Sequence, residues 1–419
     1  MTASSRGSTG PGAPSLPRPQ PVGLGPLPAA WLLLPDVPGV QDVLDALRVG
    51  VEPTAWPAGL AFCAAARAGD VEGALLLLGE PSDPVLRYDR FVLQPTADGL
   101  AELAVDLPDA WQPLLAAAAF SAGLVDTAPD PAALDGELRA VVLLTRAADA
   151  LEHGTEDEAR AALAQAAEAA RPASPALAAT LLGTLAGLDP VDRAPQRYAE
   201  ALALLPTGAQ TQVRAELLFG RATALQATGR PEVLREAVRC YQQALVVFRR
   251  DTHPMEFAEA QTNLALCHLA TPMVEAGDAL RLGIAVQALR DALTVWDRAS
   301  FPEQWASVTL NLANALQYRP SAHQQENLAE AVEHYEELLA GRDPAADPLG
   351  VARVLANQGN ALAHLGIGEH AVAKLRQAQE LFAGAGDHSS ASSVDATLAE
   401  LEAVRRLTGP DAVGAGVRA

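Results

Sequence analysis

Ala237-Val238-x-x-Tyr241-x-x-Ala244-Leu245 is the stretch that decides the fold, because it returns three times. It comes back as Ala285-Val286-x-x-Leu289-x-x-Ala292-Leu293, as Ala331-Val332-x-x-Tyr335-x-x-Leu338-Leu339, and as Ala371-Val372-x-x-Leu375-x-x-Ala378. The spacings are 48, 46 and 40 residues. Seventeen residues after each of the first three alanines stands a proline, Pro254, Pro302 or Pro348. Each proline opens a second kind of segment. These carry Asn263-Leu264-Ala265, Asn311-Leu312-Ala313-Asn314-Ala315-Leu316 and Asn357-Gln358-Gly359-Asn360-Ala361-Leu362.

The pattern describes pairs of packed helices. A small residue (Ala222, Ala265, Ala313 or Gly359) lets the first helix of a pair, helix A, approach closely. The second, helix B, offers an alanine at the contact, and a large residue four positions later fills the gap to the next pair. A pair has two apolar faces and cannot bury both alone, so neighbours must stack. The spacing predicts an all-α fold, a right-handed helical-repeat solenoid.

These residues resemble tetratricopeptide repeats. Gly359 to Ala371 is that family's twelve-residue step from helix A to helix B. Ala147 and Ala159, followed by Leu163 and Ala166, repeat it, and Ala194, Tyr198, Ala201 and Pro206 match a helix B run. Ala58 to Leu78, turning at Gly69-Asp70, is a fainter copy. The longer repeats are similar to the expanded ones of kinesin light chains and of bacterial signalling proteins. Phe301-Pro302-Glu303-Gln304-Trp305-Ala306 resembles the bacterial set.

Outward from the repeats, the sequence divides as follows. Residues 1–38 hold nine prolines and predict a disordered tail. Residues 39–137 read as a helical region with possible degenerate repeats, and 138–208 as tetratricopeptide repeats. Residues 209–388 are the repeats with expanded spacing, 389–408 a capping helix, and 409–419 a frayed tail. Val85 to Leu103 is the least helical part and predicts an irregular insert. Helix starts are expected at the capping boxes Thr155/Glu158 and Ser300/Glu303, and at Ser174-Pro175 and Asp189-Pro190.

Composition narrows the function. Thirty basic against 51 acidic side chains leaves a net charge of −21. Nucleic acid and anionic membranes both need a basic footprint, so neither is an expected partner. A basic or neutral protein or peptide is. No apolar run is long enough to span a bilayer. Cys63, Cys240 and Cys267 are too few for a disulfide framework, which points to the cytoplasm, and the family resemblance points to a bacterial source.

Enzyme chemistry finds no footing. There is no P-loop and no dinucleotide fingerprint after a strand, and the eight histidines form no metal pattern. Cys267-His268 is a candidate pair, but adjacent helical residues point about 100° apart, so burial explains Cys267. Glu156-Asp157-Glu158 sits where a helix N-terminus favours negative charge. No catalytic residue, cofactor or metal is expected.

The asparagines stand apart. Asn263, Asn311 and Asn357 hold one position in three successive A helices, with Asn314 and Asn360 one turn on. Asparagine is a poor helix former, so its recurrence mid-helix needs a reason. The resemblance implies that helix A lines a concave surface where such amides pair with the backbone of an extended peptide. Gln317, Tyr318 and His364, near the ends of these helices, would add side-chain selectivity, and Arg353, one turn before Asn357, would offer a contact to an acid. The competing explanation is that the amides tie neighbouring repeats together. The function this implies is a non-enzymatic interaction scaffold. The alternative is a stand-alone sensor or regulatory subunit of a bacterial signalling system with a separate protease or kinase effector.

Overall fold

The structure, a computed structural model, describes residues 31–205, 211–272, 278–318 and 323–408. Among the described residues the chain forms nineteen α-helices and no extended β-strand. It divides into two units, with the break after Thr228. That break falls inside the 209–388 block, between the two helices of its first pair. Most of the 1–38 tract and all of 409–419 lie outside the described residues.

The first unit begins with α1 (Val40–Arg48), α2 (Ala61–Arg67), α3 (Val71–Leu78), α4 (Pro84–Leu93), α5 (Ala97–Asp106) and α6 (Gln112–Ser121). It continues with α7 (Gly136–Glu152), α8 (Glu156–Ala170), α9 (Pro175–Leu188), α10 (Ala194–Ala203) and α11 (Thr211–Ala227). From α2 to α11 each helix packs on its neighbour in sequence. The first helix does otherwise: α1 lies on α9, and the Arg48 guanidinium donates to the Ala173 carbonyl.

Two expectations fail in this unit. The proline-rich tract does not stay outside the fold as far as residue 38. Trp31, Leu32, Leu33 and Leu34 are buried in the core with Val43, Leu47, Leu60 and Phe62. Burying four large side chains outweighs the ordering of a short segment at roughly 1.5–3 kcal/mol each. Nor is Val85 to Leu103 irregular, since α4 and α5 occupy it. Asp83 caps α4 by accepting from the Val85 and Leu86 amides, with Pro84 in the first turn. Thr96 caps α5 through the Gly99 amide.

Caps also depart from expectation elsewhere. Ser174 caps α9 as anticipated, through the Leu177 amide. The Thr155 hydroxyl instead donates back to the Ala150 carbonyl, so its capping box does not form. Asp189 ends α9 rather than starting α10, and its carboxylate holds Arg197 at 3.0 Å. Ser300 gives its amide to Asp297, and the helix that follows starts two residues on.

The second unit holds α12 (Pro231–Ala244), α13 (Pro254–Ala270), α14 (Asp278–Leu293), α15 (Pro302–Tyr318), α16 (Gln324–Leu339), α17 (Pro348–His364), α18 (Gly368–Gly384) and α19 (His388–Thr408). From α12 to α19 each helix packs on the next, which is how a solenoid is built. The recurring prolines 254, 302 and 348 each open an A helix, where the missing N–H costs nothing.

The knobs inferred from sequence are where the stacking needs them. Ala265, Ala313, Ala285, Ala331 and Ala371 are wholly buried, as are Leu289 and Tyr335. Gly359 shows why the position must be small. A methyl group there would lie 2.7 Å from Leu375 Cγ and 3.3 Å from the Ala371 carbonyl oxygen. The Phe-Pro-x-x-Trp stretch secures the turn into α15. Phe301 meets Trp296 edge-on at 5.0 Å, and the Arg298 guanidinium sits 5.0 Å from the Trp305 ring centre.

Candidate functional site

The amide-bearing A helices α13, α15 and α17 all belong to the second unit. Their 3.6-residue period puts Leu264, Ala265, Leu312, Ala313, Val354 and Leu355 into the core. Asn263, Asn311, Asn314, Asn357 and Asn360 are left half-buried, at the border of that core. The asparagines expected to form a ladder therefore occupy equivalent places, but their bonding differs.

Asn314 and Asn357 serve the fold. The Asn357 amide nitrogen donates to Asn314 Oδ1 at 2.9 Å, linking α17 to α15. The same oxygen accepts from the Tyr335 hydroxyl of α16 at 2.7 Å. Tyr335 also reaches Gln317 Oε1 at 3.1 Å. One oxygen thus gathers three successive helices, and burial raises the Tyr335 hydroxyl's pKa, keeping it a donor. For this pair, the tying of neighbouring repeats is what the geometry displays.

Gln317 is corrected more sharply. Expected among the helix-end side chains open to a partner, it is buried and bonded to Tyr335. The cause is register. Residue 317 lies one turn past Asn314 on the same stripe and turns inward against α16, whereas Tyr318, the next residue, is exposed.

Asn263, Asn311 and Asn360 make no side-chain hydrogen bond among the described residues. Arg353, one turn before Asn357, is exposed. Its charge helps hold the Asp387 carboxyl below its ordinary range, after the larger effect of the Ser390 amide and hydroxyl. Sequence reasoning missed Thr309 and Gln358. Both are wholly buried, and the Thr309 hydroxyl and both Gln358 amide atoms have no hydrogen-bond partner among the described residues. Polar residues at core positions of an A helix were the available signal.

Cys267 is buried, and desolvation pushes its thiol up to about 12, far from a reactive thiolate. Burial lowers the neighbouring His268 instead, aided by Arg281. Among the described residues no group of three or more His, Cys, Asp and Glu is placed to hold a metal ion. No helix among them is long and apolar enough to cross a membrane.

No family model matches the chain, and no curated protein matches it. Among solved structures the chain is similar to a Rap protein crystallised in complex with the competence and sporulation factor. The two are 14% identical, and the match covers 83% of this chain and 97% of that one, with a TM-score of 0.37. The fold therefore rests on the helices and knobs described above.

Proposed function

We propose that the chain is a non-enzymatic scaffold of the tetratricopeptide type, taking an extended peptide or partner segment along the A helices of the second unit. What supports this is the division among the asparagines. Asn314 and Asn357 are consumed by the fold, whereas Asn263, Asn311 and Asn360 are half-buried amides with no side-chain hydrogen bond among the described residues. An amide carries two donors and two acceptor sites, and so can pair with peptide N–H and C=O groups whatever the side chain. The net charge of −21 favours a basic or neutral segment.

The test follows from the same division. A ligand is first selected from a displayed peptide library on the intact chain. Asn263→Ala with Asn311→Ala should then weaken it by about tenfold, the worth of one or two net hydrogen bonds, with the thermal midpoint unchanged. Asn314→Ala is the contrasting variant. It removes the acceptor shared by Tyr335 and Asn357 and should cost about 1–3 kcal/mol of stability. Calorimetric affinities that ignore the Asn263/Asn311 pair would exclude the amide-lined face as the binding surface.

A further inference from the structure

The first unit contains a cavity of about 620 Å³ that the proposed scaffold function does not use. Its apolar wall is built from Trp31, Phe120, Val125, Val141 and Leu144. Trp31 and Ser121 also line a second apolar hollow of about 320 Å³, so the indole stands between two spaces. The larger one is within the range of small-molecule sites.

Its rim is acidic. Asp126, Asp149 and Glu152 all line the cavity. The one cationic candidate among the lining residues is His153, and Asp149 already holds it, with Nδ1 3.2 Å from the carboxylate and 2.9 Å from the main-chain oxygen. Asp126 and Glu152 have no ion-pair partner among the described residues. Elsewhere in the unit, several exposed acids are matched by arginines. Arg87 takes Glu102 and Asp106, Arg90 takes Glu80, and Arg171 takes Glu168 and Glu200. Around this cavity no arginine does so.

An apolar hollow with an aromatic wall and an uncompensated acidic mouth has a definite complement. We propose that it binds a small organic cation, an ammonium group carried on an apolar body. The body fills the space beside Trp31 and Phe120, and the ammonium lies among Asp126, Asp149 and Glu152. A neutral analogue keeps the first contact and loses the second. The two solvent-facing carboxylates without an ion pair, Asp126 and Glu152, together supply about a tenfold preference for the cation.

The experiment titrates the full chain with 2-phenylethylammonium and with its neutral counterpart 2-phenylethanol, followed by calorimetry or ligand-observed NMR. The expected result is saturable binding of the ammonium, about tenfold tighter than the alcohol. Asp126→Asn with Glu152→Gln should bring the ammonium down to the alcohol's affinity. Ala148→Trp places a bulky ring at an exposed lining position and should block both probes. Ser121→Trp, also exposed and lining, is a second blocking variant should the first unfold. Equal affinity for the two probes, no saturable binding of either, or binding that survives a folded blocking variant each overturns the proposal. Substitutions at Asn263 and Asn311 should not change this binding, so it stands or falls apart from the scaffold function.

Discussion

Gly359→Ala is expected to destabilise the second unit by up to about 2 kcal/mol, although alanine is the better helix former. The exchange gains up to about 1 kcal/mol in helix propensity. Against that stands the space. The new methyl would sit 2.7 Å from Leu375 Cγ and 3.3 Å from the Ala371 carbonyl oxygen. The first is the branch carbon of a buried leucine, not its flexible tip, and the second is backbone. Overpacking of this kind costs about 1–3 kcal/mol, so packing wins over propensity. Urea melts of the full chain measure the loss, and hydrogen exchange in α17 and α18 localises it.

A second variant isolates the cause. Leu375→Ala alone should cost about 2–5 kcal/mol through the cavity it leaves. Combined with Gly359→Ala, the loss should be smaller than the sum, because the alanine methyl enters space that the leucine vacates. Strict additivity, or a stabilised single variant, would show that the A and B helices do not meet through this contact. Gly359→Leu extends the series. With no room for its side chain it should cost more than Gly359→Ala.

The sequence told most where packing writes itself in residue size. Ala313, Ala331 and Tyr335 could be placed because a close helix contact admits only small residues and the gap beside it needs a large one. The first unit was harder to read. Its helices α2 to α6 span at most ten residues each, too short to show much periodicity. They are fixed by single caps such as Asp83 and Thr96, whose local pattern also fits a turn. Trp31 to Leu34 sit among prolines, and only their distant core partners show that the segment is folded in. The candidate site was half legible. Recurring asparagines mark the A helices, but one-dimensional spacing cannot distinguish Asn311, with no side-chain bond among the described residues, from Asn314, which bridges three helices. Gln317 was misplaced because one residue separates the buried stripe from the open one.

The other large effect belongs to Asp89, on α4. Its carboxyl is wholly buried, Oδ1 accepts from the Leu33 amide at 2.8 Å, and Oδ2 has no partner among the described residues. Burial pushes its pKa well above the usual carboxylate range. The Leu33 amide opposes that shift, and the Asp83 charge adds to it. The sign follows from proton binding. The unfolded chain releases this proton near pH 4, at an ordinary aspartate pKa of about 3.9, while the folded chain keeps it. Asp89's contribution is thus fully present below about pH 4 and is lost as the pH rises towards the folded-state pKa. The loss runs at up to about 1.4 kcal/mol per pH unit. Asp89→Asn supplies the Leu33 amide with the same acceptor and has no proton to lose. The two proteins should be about equally stable near pH 3, and the asparagine variant should pull steadily ahead as the pH rises. Taking the difference between their stabilities removes the other carboxylates, which both proteins share. Asp89→Leu separates the hydrogen bond from the charge. It strands the Leu33 amide that anchors residues 31–34 and should cost about 1–3 kcal/mol at every pH. A difference between wild type and Asp89→Asn that stays flat with pH, or that favours aspartate at high pH, would mean the native carboxylate is ionised. The core of the first unit would then have to hold a counter-charge against α4.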